Sequence, residues 1–251
     1  MTPRPATPAD AGDRALSPTE RTRHRRLREQ GRTDRAELFA VLRAGFIAHL
    51  GVLSDGGPMV VPTVYGFDDQ HLFVHGSVAS QSLAAGDSIA CVTVTIVDGL
   101  VLARSVFEHA VNYRSAMIYG TPRLVTDPAE KLAGLRALAE HIVPGQWDYA
   151  RRPNKKELAQ TTLLALPLAE ASVKIRTGPP DDGDSPDAAL PVWAGVLPLA
   201  AAWQSPEPDP VLLTDVPLPP HIAALAGRPA GIARPSPGTG RMGESERNLW
   251  G

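Results

Sequence analysis

The chain has 251 residues, enough for one substantial core with appendages, and its 43% hydrophobic content calls for packed structure. Lys and Arg number 25 against 27 Asp and Glu, so the net charge of -2 excludes a general nucleic-acid binder built on basic excess. One cysteine rules out an intrachain disulfide and a multi-cysteine zinc site, and no run approaches the roughly 20 apolar residues of a membrane helix.

Residues 1–20 are rich in Pro, Thr, Asp and Ala and carry no apolar signal core, so they read as a disordered tail of a cytoplasmic protein. The basic run 21–28 (RTRHRRLR) has no interleaved aromatic residues for base stacking. A solvated helix or a strap across a partner subunit explains it better than nucleic-acid contact. The spacing over 34–43 predicts a helix, with Asp34 as cap, Glu37 closing a capping box, and Leu38, Val41 and Leu42 on one face. Gly45 ends it.

Apolar segments 46–53 and 59–65 flank Ser54-Asp55-Gly56-Gly57, a tight-turn signal that pairs them antiparallel. Pro62 marks an edge or a bulge. A strand at 72–75 and a short helix at 78–85 follow. Residues 89–97 and 100–107 read as a hairpin about Asp98-Gly99, and 113–125 as a long strand broken near 120–122. Asp127-Pro128-Ala129-Glu130 opens a helix whose buried face is Leu132, Leu135, Leu138 and Ile142. A short helix at 155–160, closing strands at 163–168 and 171–176, and an acidic proline-bearing loop at 179–191 complete the pattern. The expected organisation is a barrel domain over 21–200 between the 1–20 tail and a proline-rich, extended tail at 201–251. Six or seven strands with one long helix between the fifth and sixth describe a mainly β, closed antiparallel barrel with helices outside. No Gly-rich loop joins a strand to a helix, so neither a P-loop nor a dinucleotide fingerprint is present.

Two clusters could carry chemistry. In His75-Gly76-Ser77-Val78-Ala79-Ser80, glycine permits close approach, the hydroxyls can bond an anion, and the histidine can donate a hydrogen bond or ligate iron. An ordinary turn with a capping serine fits the same residues. Arg104 with Asn112-Tyr113-Arg114-Ser115 suits phosphate or carboxylate recognition, and suits structural salt bridging equally. Strand alternation puts Tyr113 and Ser115 on one face, Asn112 and Arg114 on the other. His49 reads as a satisfied core histidine, Cys91 as an inert core thiol and Trp193 as a packing residue; Glu108-His109 and Lys174 with Arg176 are weaker candidates. No Ser/His/Asp arrangement or HExxH motif stands out.

Taken together, Pro62-Thr63-Val64-Tyr65-Gly66, Leu72-Phe73-Val74-His75-Gly76, Val92-Thr93-Val94-Thr95, the stretch from Asp98 to Ser105, Asn112-Tyr113-Arg114-Ser115, Val173 to Pro180 and Val192-Trp193-Ala194-Gly195 resemble the nitroimidazole-resistance-like branch of the pyridoxamine-phosphate-oxidase-like split barrels. The resemblance covers about residues 17–200. It implies a homodimer with two cofactor sites, each built from both subunits. It further implies FMN as cofactor, with haem, FAD or the deazaflavin F420 in some relatives. By the same resemblance, His75 lies in the active pocket, His75, Gly76, Ser77 and Ser80 lie toward the phosphate, and the 112–115 strand lines the ring and phosphate; Arg104, or Arg114 on that strand, is a candidate to supply a cation to the phosphate. Two residues depart from the branch: Gln81 stands where relatives carry arginine, removing a phosphate-pairing cation, and Glu108 where they carry histidine. A charged hydrogen bond to a buried phosphate is worth roughly 1.5–3 kcal/mol, so Gln81 weakens the case for FMN. The expected function is a flavin-dependent oxidoreductase acting on a small molecule. The alternatives are a haem protein with His75 as axial ligand and a non-catalytic cofactor sensor.

Overall fold

Alternation of apolar and polar side chains becomes strands that curl into a split barrel. The computed structural model describes residues 16, 19–25, 27–54, 56–77, 88–213 and 215–231. The expected helix at 78–85, with Ser80 and Gln81, lies outside the described residues. Among those described, the strands are β1 Gly31–Arg32, β2 Ile47–Ser54, β3 Gly57–Phe67, β4 His71–Ser77, β5 Ala90–Leu102, β6 Ala110–Gly120, β7 Arg123–Leu124, β8 Thr161–Pro167, β9 Glu170–Arg176 and β10 Gly195–Pro198. The hydrogen-bonded order is β1-β9-β6-β5-β2-β3-β4-β8-β7, with β10 alongside β5. Because β6 lies early on that path while its continuation β7 pairs with β8 at the other end, the sheet bends round on itself.

Inward positions fix the register. Ala48, Leu50 and Val52 of β2, Val92 and Val94 of β5, Ile118 of β6 and Val173 of β9 meet inside the barrel. Helix α1 (Arg35–Ala44) buries Leu38, Phe39, Val41 and Leu42 against them. Asp34 takes the cap conformation, but its carboxylate makes no capping bond. The expected capping box is therefore absent, and packing of the apolar face holds the helix instead. Tyr65 is fully buried, its hydroxyl 2.6 Å from Leu42 O and 2.9 Å from Gly45 O.

The second long helix, α2 (Pro128–Ile142), starts as its residues dictate: Asp127 accepts from the Glu130 amide at 2.8 Å, with proline in the first turn. It lies outside the barrel over β3, β4 and β8, and Leu138 packs with Phe73, Val125, Leu163 and Ala165. Gly66 is required here. A methyl group on it would run into the Ala137–Leu138 backbone. Among the described residues, Pro62 lies where β3 has β2 on one side only, since β4 joins from Tyr65 onward, so proline sits on an open edge.

Three expectations change. The hairpin about Asp98-Gly99 is one 13-residue strand, β5, with a bulge between Val97 and Gly99. The turn signal gives way because β6 runs alongside both halves, and because bare Gly99 lets β10 lie against it. His49 and Cys91 are not core residues. Ala48 and Leu50 point inward, so the intervening His49 points out and is exposed, and Cys91 is half-exposed on the same outer face. Trp193 is 67% exposed, lying over Gly195 rather than packed in the interior.

After β10 the chain leaves and returns. Trp203 meets the Phe46 ring edge at 5.3 Å, Ala202 bridges Pro229, and His221 lies 2.9 Å from Gln146 Oε1.

Candidate functional site

Residues at the ends of β5, β6 and β9 form a polar array that is satisfied within the chain. Asn112, 6% exposed, donates Nδ2–H to Gly178 O at 3.0 Å and accepts from Arg176 Nη1 at 2.7 Å. Arg176 also reaches Asp181 at 3.2 Å. Buried Asp182 accepts from the Arg104 amide at 2.6 Å and from its guanidinium at 2.9 Å. Arg114 donates twice to Asp98, from Nε at 2.8 Å and Nη2 at 2.7 Å, both side chains being mostly buried. The bulge explains this pair: the extra residue in β5 is Asp98, turned onto the arginine of the neighbouring strand. Gly178, with φ of 113°, makes the turn that carries Asp181 and Asp182 back over the strand ends.

The other face of β6 differs. Tyr113 and Ser115 point outward, as alternation expects, and make no side-chain hydrogen bond among the described residues. Ser115 sits opposite Lys174 in the ladder and opposite Thr95 on the other side. Lys174 makes no ion pair among the described residues, so a hydroxyl–ammonium pair stands open on this face. This is chemistry suited to an anion.

His75, Gly76 and Ser77 all belong to β4, so the strand continues two residues past its expected end. His75 lies opposite Leu163 and shares the outer face with Phe73, but it escapes the cover of α2 and is exposed. Neighbouring atoms still desolvate its ring enough to lower its pKa, which leaves a neutral imidazole at pH 7. Along the hydrogen-bonded path β5, β2 and β3 lie between β4 and β6, and round the other side of the barrel β8 does; no hydrogen bond joins His75 to residues 112–115 among the described residues. His109 Nδ1 accepts from the Ala103 amide at 3.2 Å, tying down the turn that bears Glu108. The described residues contain no group of three His, Cys, Asp or Glu able to hold a metal ion, and no helix long and apolar enough to cross a membrane.

Sequence reasoning missed the partners of the arginines. Asp98 carried a turn signal, and Asp182 sat in an acidic loop without periodicity to place it. Lys174 faces Ser115 only once the β6–β9 register is known.

The sequence pattern of the pyridoxamine 5'-phosphate oxidase family matches residues 34–175. No curated protein matches the chain significantly. Among solved structures, the flavocytochrome Anf3 from Azotobacter vinelandii is 39% identical, with a TM-score of 0.79 over 84% of this chain and 98% of that one. The FAD and heme binding protein from Mycobacterium smegmatis is 36% identical, with a TM-score of 0.75 over 79% and 98%. A 5-nitroimidazole antibiotic resistance protein from Bacteroides thetaiotaomicron is 17% identical, at 0.49 over 58% and 86%. With a split barrel in the structure and the family pattern spanning α1 to β9, the chain belongs to the pyridoxamine 5'-phosphate oxidase family of flavin-binding split barrels.

Proposed function

We propose that the protein is a flavin-dependent oxidoreductase that seats its flavin between two copies of the chain and carries haem as a second prosthetic group. The observation behind this reading is the joint likeness, at 39% and 36% identity over most of the chain, to proteins named a flavocytochrome and an FAD and heme binding protein. The residues fit such groups. Tyr113, Ser115 and Lys174 offer hydroxyls and an ammonium on an uncovered face, where a flavin phosphate can be held. His75 offers a neutral, accessible imidazole, the form that haem iron takes as a ligand. When bound, the flavin supplies the hydride and electron chemistry; the chain binds it, orients a small substrate and sets the hydrogen bonds around it.

Arg104, Arg114 and Asn112 take a different part. Their donors are already engaged by Asp182, Asp98 and Gly178, so they hold the wall behind the face rather than a phosphate. Two copies enter because the family resemblance implies cofactor sites built from both subunits, so His75 of one copy would complete the face of the other.

The absorption spectrum of purified protein tests the reading. Flavin bands together with a Soret band are expected, and His75→Ala should shift or abolish the Soret band. A colourless protein that takes up neither flavin nor haem on titration would reject it. A Soret band without flavin uptake would favour the haem protein alone. Chromatography of acid-released flavin separates FMN, which the family resemblance implies, from FAD.

A further inference from the structure

The segment after Trp203 is built unlike the rest of the molecule. Its base is a fixed ladder: the Trp203 amide donates to Arg228 O, the Gly227 amide to Trp203 O and the Ala230 amide to Ala201 O, each at 2.9 Å. Its return leg is docked by His221, which lies 2.9 Å from Gln146 Oε1 and against the Tyr149 ring. Between these anchors every described residue from 204 to 218 is exposed. Its hydrogen bonds stay local, the Leu212 and Val211 amides donating to the Asp209 backbone and side chain at 2.9 Å. Prolines at 206, 208, 210, 217 and 219 stiffen it in extended form. At its tip, Val211 is 84% exposed and Leu213 79%. A stiff projection that holds aliphatic side chains off its own barrel is shaped to meet another molecule.

The occupant is indicated by a second uncovered surface on the same chain. Among the described residues, the outer face of β2, β5, β6 and the first half of β3 carries no helix and exposes Ile47, Leu53, Val60, Val97 and Met117, while Thr19, Arg21 and His24 cover the neighbouring Glu170, Tyr119 and Ser172. Four strands at ~4.8 Å spacing and about eight residues long give roughly 500 Å² in projection. Each partner of a stable complex buries about 800 Å², so this face falls short alone and reaches the size a second copy requires only with an added arm. The arm starts beside Trp203 and Phe46, and Phe46 directly precedes Ile47 at the border of that face. Seven residues out and seven back reach about 23 Å. We propose that the 204–218 excursion is a clasp that crosses to a second copy of this chain and lays Val211 and Leu213 on the open outer face of its sheet. The clasp rests on the two-copy reading above and adds the segment that closes the seam.

A photo-crosslink tests it. Leu213→Cys in a Cys91→Ser background is labelled with benzophenone maleimide and irradiated, and adducts are mapped by mass spectrometry. The clasp predicts an adduct of twice the chain mass, attached within 47–53, 91–97 or 111–117. Adducts confined to the same chain, or a monomer by sedimentation, overturn it. In the double variant Val211→Asp, Leu213→Asp the dimer should dissociate about tenfold more readily, and an unchanged constant also overturns it. Co-sedimentation with phosphatidylcholine–phosphatidylglycerol vesicles, lost in the double variant and without inter-chain adducts, would give the tip to a lipid surface and overturn the clasp. The spectrum of the same sample separates the two readings. An inter-chain adduct in colourless protein keeps the clasp and rejects the cofactors, and coloured protein lacking the adduct does the reverse.

Discussion

The two halves of the barrel exterior meet water in opposite ways. Over β3, β4 and β8 the helix α2 covers the sheet, and Phe73, Leu163 and Ala165 are buried beneath it. Strand β4 accordingly reads Leu72-Phe73-Val74, apolar on both faces. Over β2, β5, β6 and β9 no helix lies among the described residues, residues 19–24 cover only Tyr119, Glu170 and Ser172 at one end, and the other outward positions mix Ile47, Val97 and Met117 with His49, Tyr113, Ser115 and Lys174. The covered half is a finished piece of core. The open half pairs exposed apolar surface with unbonded polar groups, the composition of a surface that receives both a partner and a ligand.

The covered half should be the more fragile to a small change. Gly66→Ala forces a methyl group into the Ala137–Leu138 backbone, which α2 can relieve only by lifting off the sheet. Overpacking of this kind costs about 3 kcal/mol, and at 2–4 °C per kcal/mol the melting temperature should drop by roughly 6–12 °C. A change under 2 °C in a thermal scan would mean that the helix sits looser than its contacts indicate. Behind the open half, Asp182→Ala should rank next. It strips the buried acceptor from both the Arg104 amide and its guanidinium. The arginine is 26% exposed, and solvent takes up part of the loss, so about 2–3 kcal/mol is expected rather than the full cost of breaking a buried pair. Flavin and haem spectra should survive this substitution, because Asp182 supports the wall and not the face. A lost cofactor at unchanged melting temperature would reverse that assignment.

Much of this contrast was legible in the sequence. Apolar segments at 46–53 and 59–65 about a turn signal marked the first two strands, Pro62 an edge or a bulge, and Asp127-Pro128 the start of α2, because each signal is local. What stayed hidden depends on contacts between distant segments. Arg104 and Asp182 are 78 residues apart, and no spacing rule joins them. Asp98 carried a correct turn signal that tertiary pairing converted into a bulge. For His49 the apolar neighbours suggested burial, but the strand's parity sent it outward. Tyr113 and Ser115 were placed on one face correctly; which face lay open depended on where α2 came to rest.

The open half can be sharpened by Lys174→Met. This keeps the apolar stem and removes the ammonium opposite Ser115. Losing one charged hydrogen bond to a phosphate costs about 1.5–3 kcal/mol, so flavin should bind about ten-fold or more weakly while the apo-protein melts within ~1 °C of the parent. Fluorescence titration with FMN and FAD reads the first number and a thermal scan the second. Unchanged affinity would remove Lys174 from the site.

The smallest effect is a pH dependence, and it separates the halves once more. His141 closes α2 against the barrel, 2.9 Å from Gly45 O and packed among Phe46, Tyr65 and Phe67. Burial outweighs its bond to Gly45 and lowers its pKa; burial also lowers that of His75 on the exposed end of β4. A histidine whose folded value lies below its unfolded value of about 6.5 contributes stability in full above that pH, and loses it as pH falls through the folded value. The melting temperature should therefore be flat from pH 8 to 7 and decline below about 6.5. Carboxylates such as Glu157 and Glu170, whose pKa values are lowered by arginine partners, add their own losses only in more acid solution. His141→Phe keeps the ring packing without the titration and should remove most of the decline between pH 6.5 and 5. If the decline persists in His141→Phe and vanishes in His75→Gln, the pH-sensitive group belongs to the proposed cofactor site and not to the helix-covered wall.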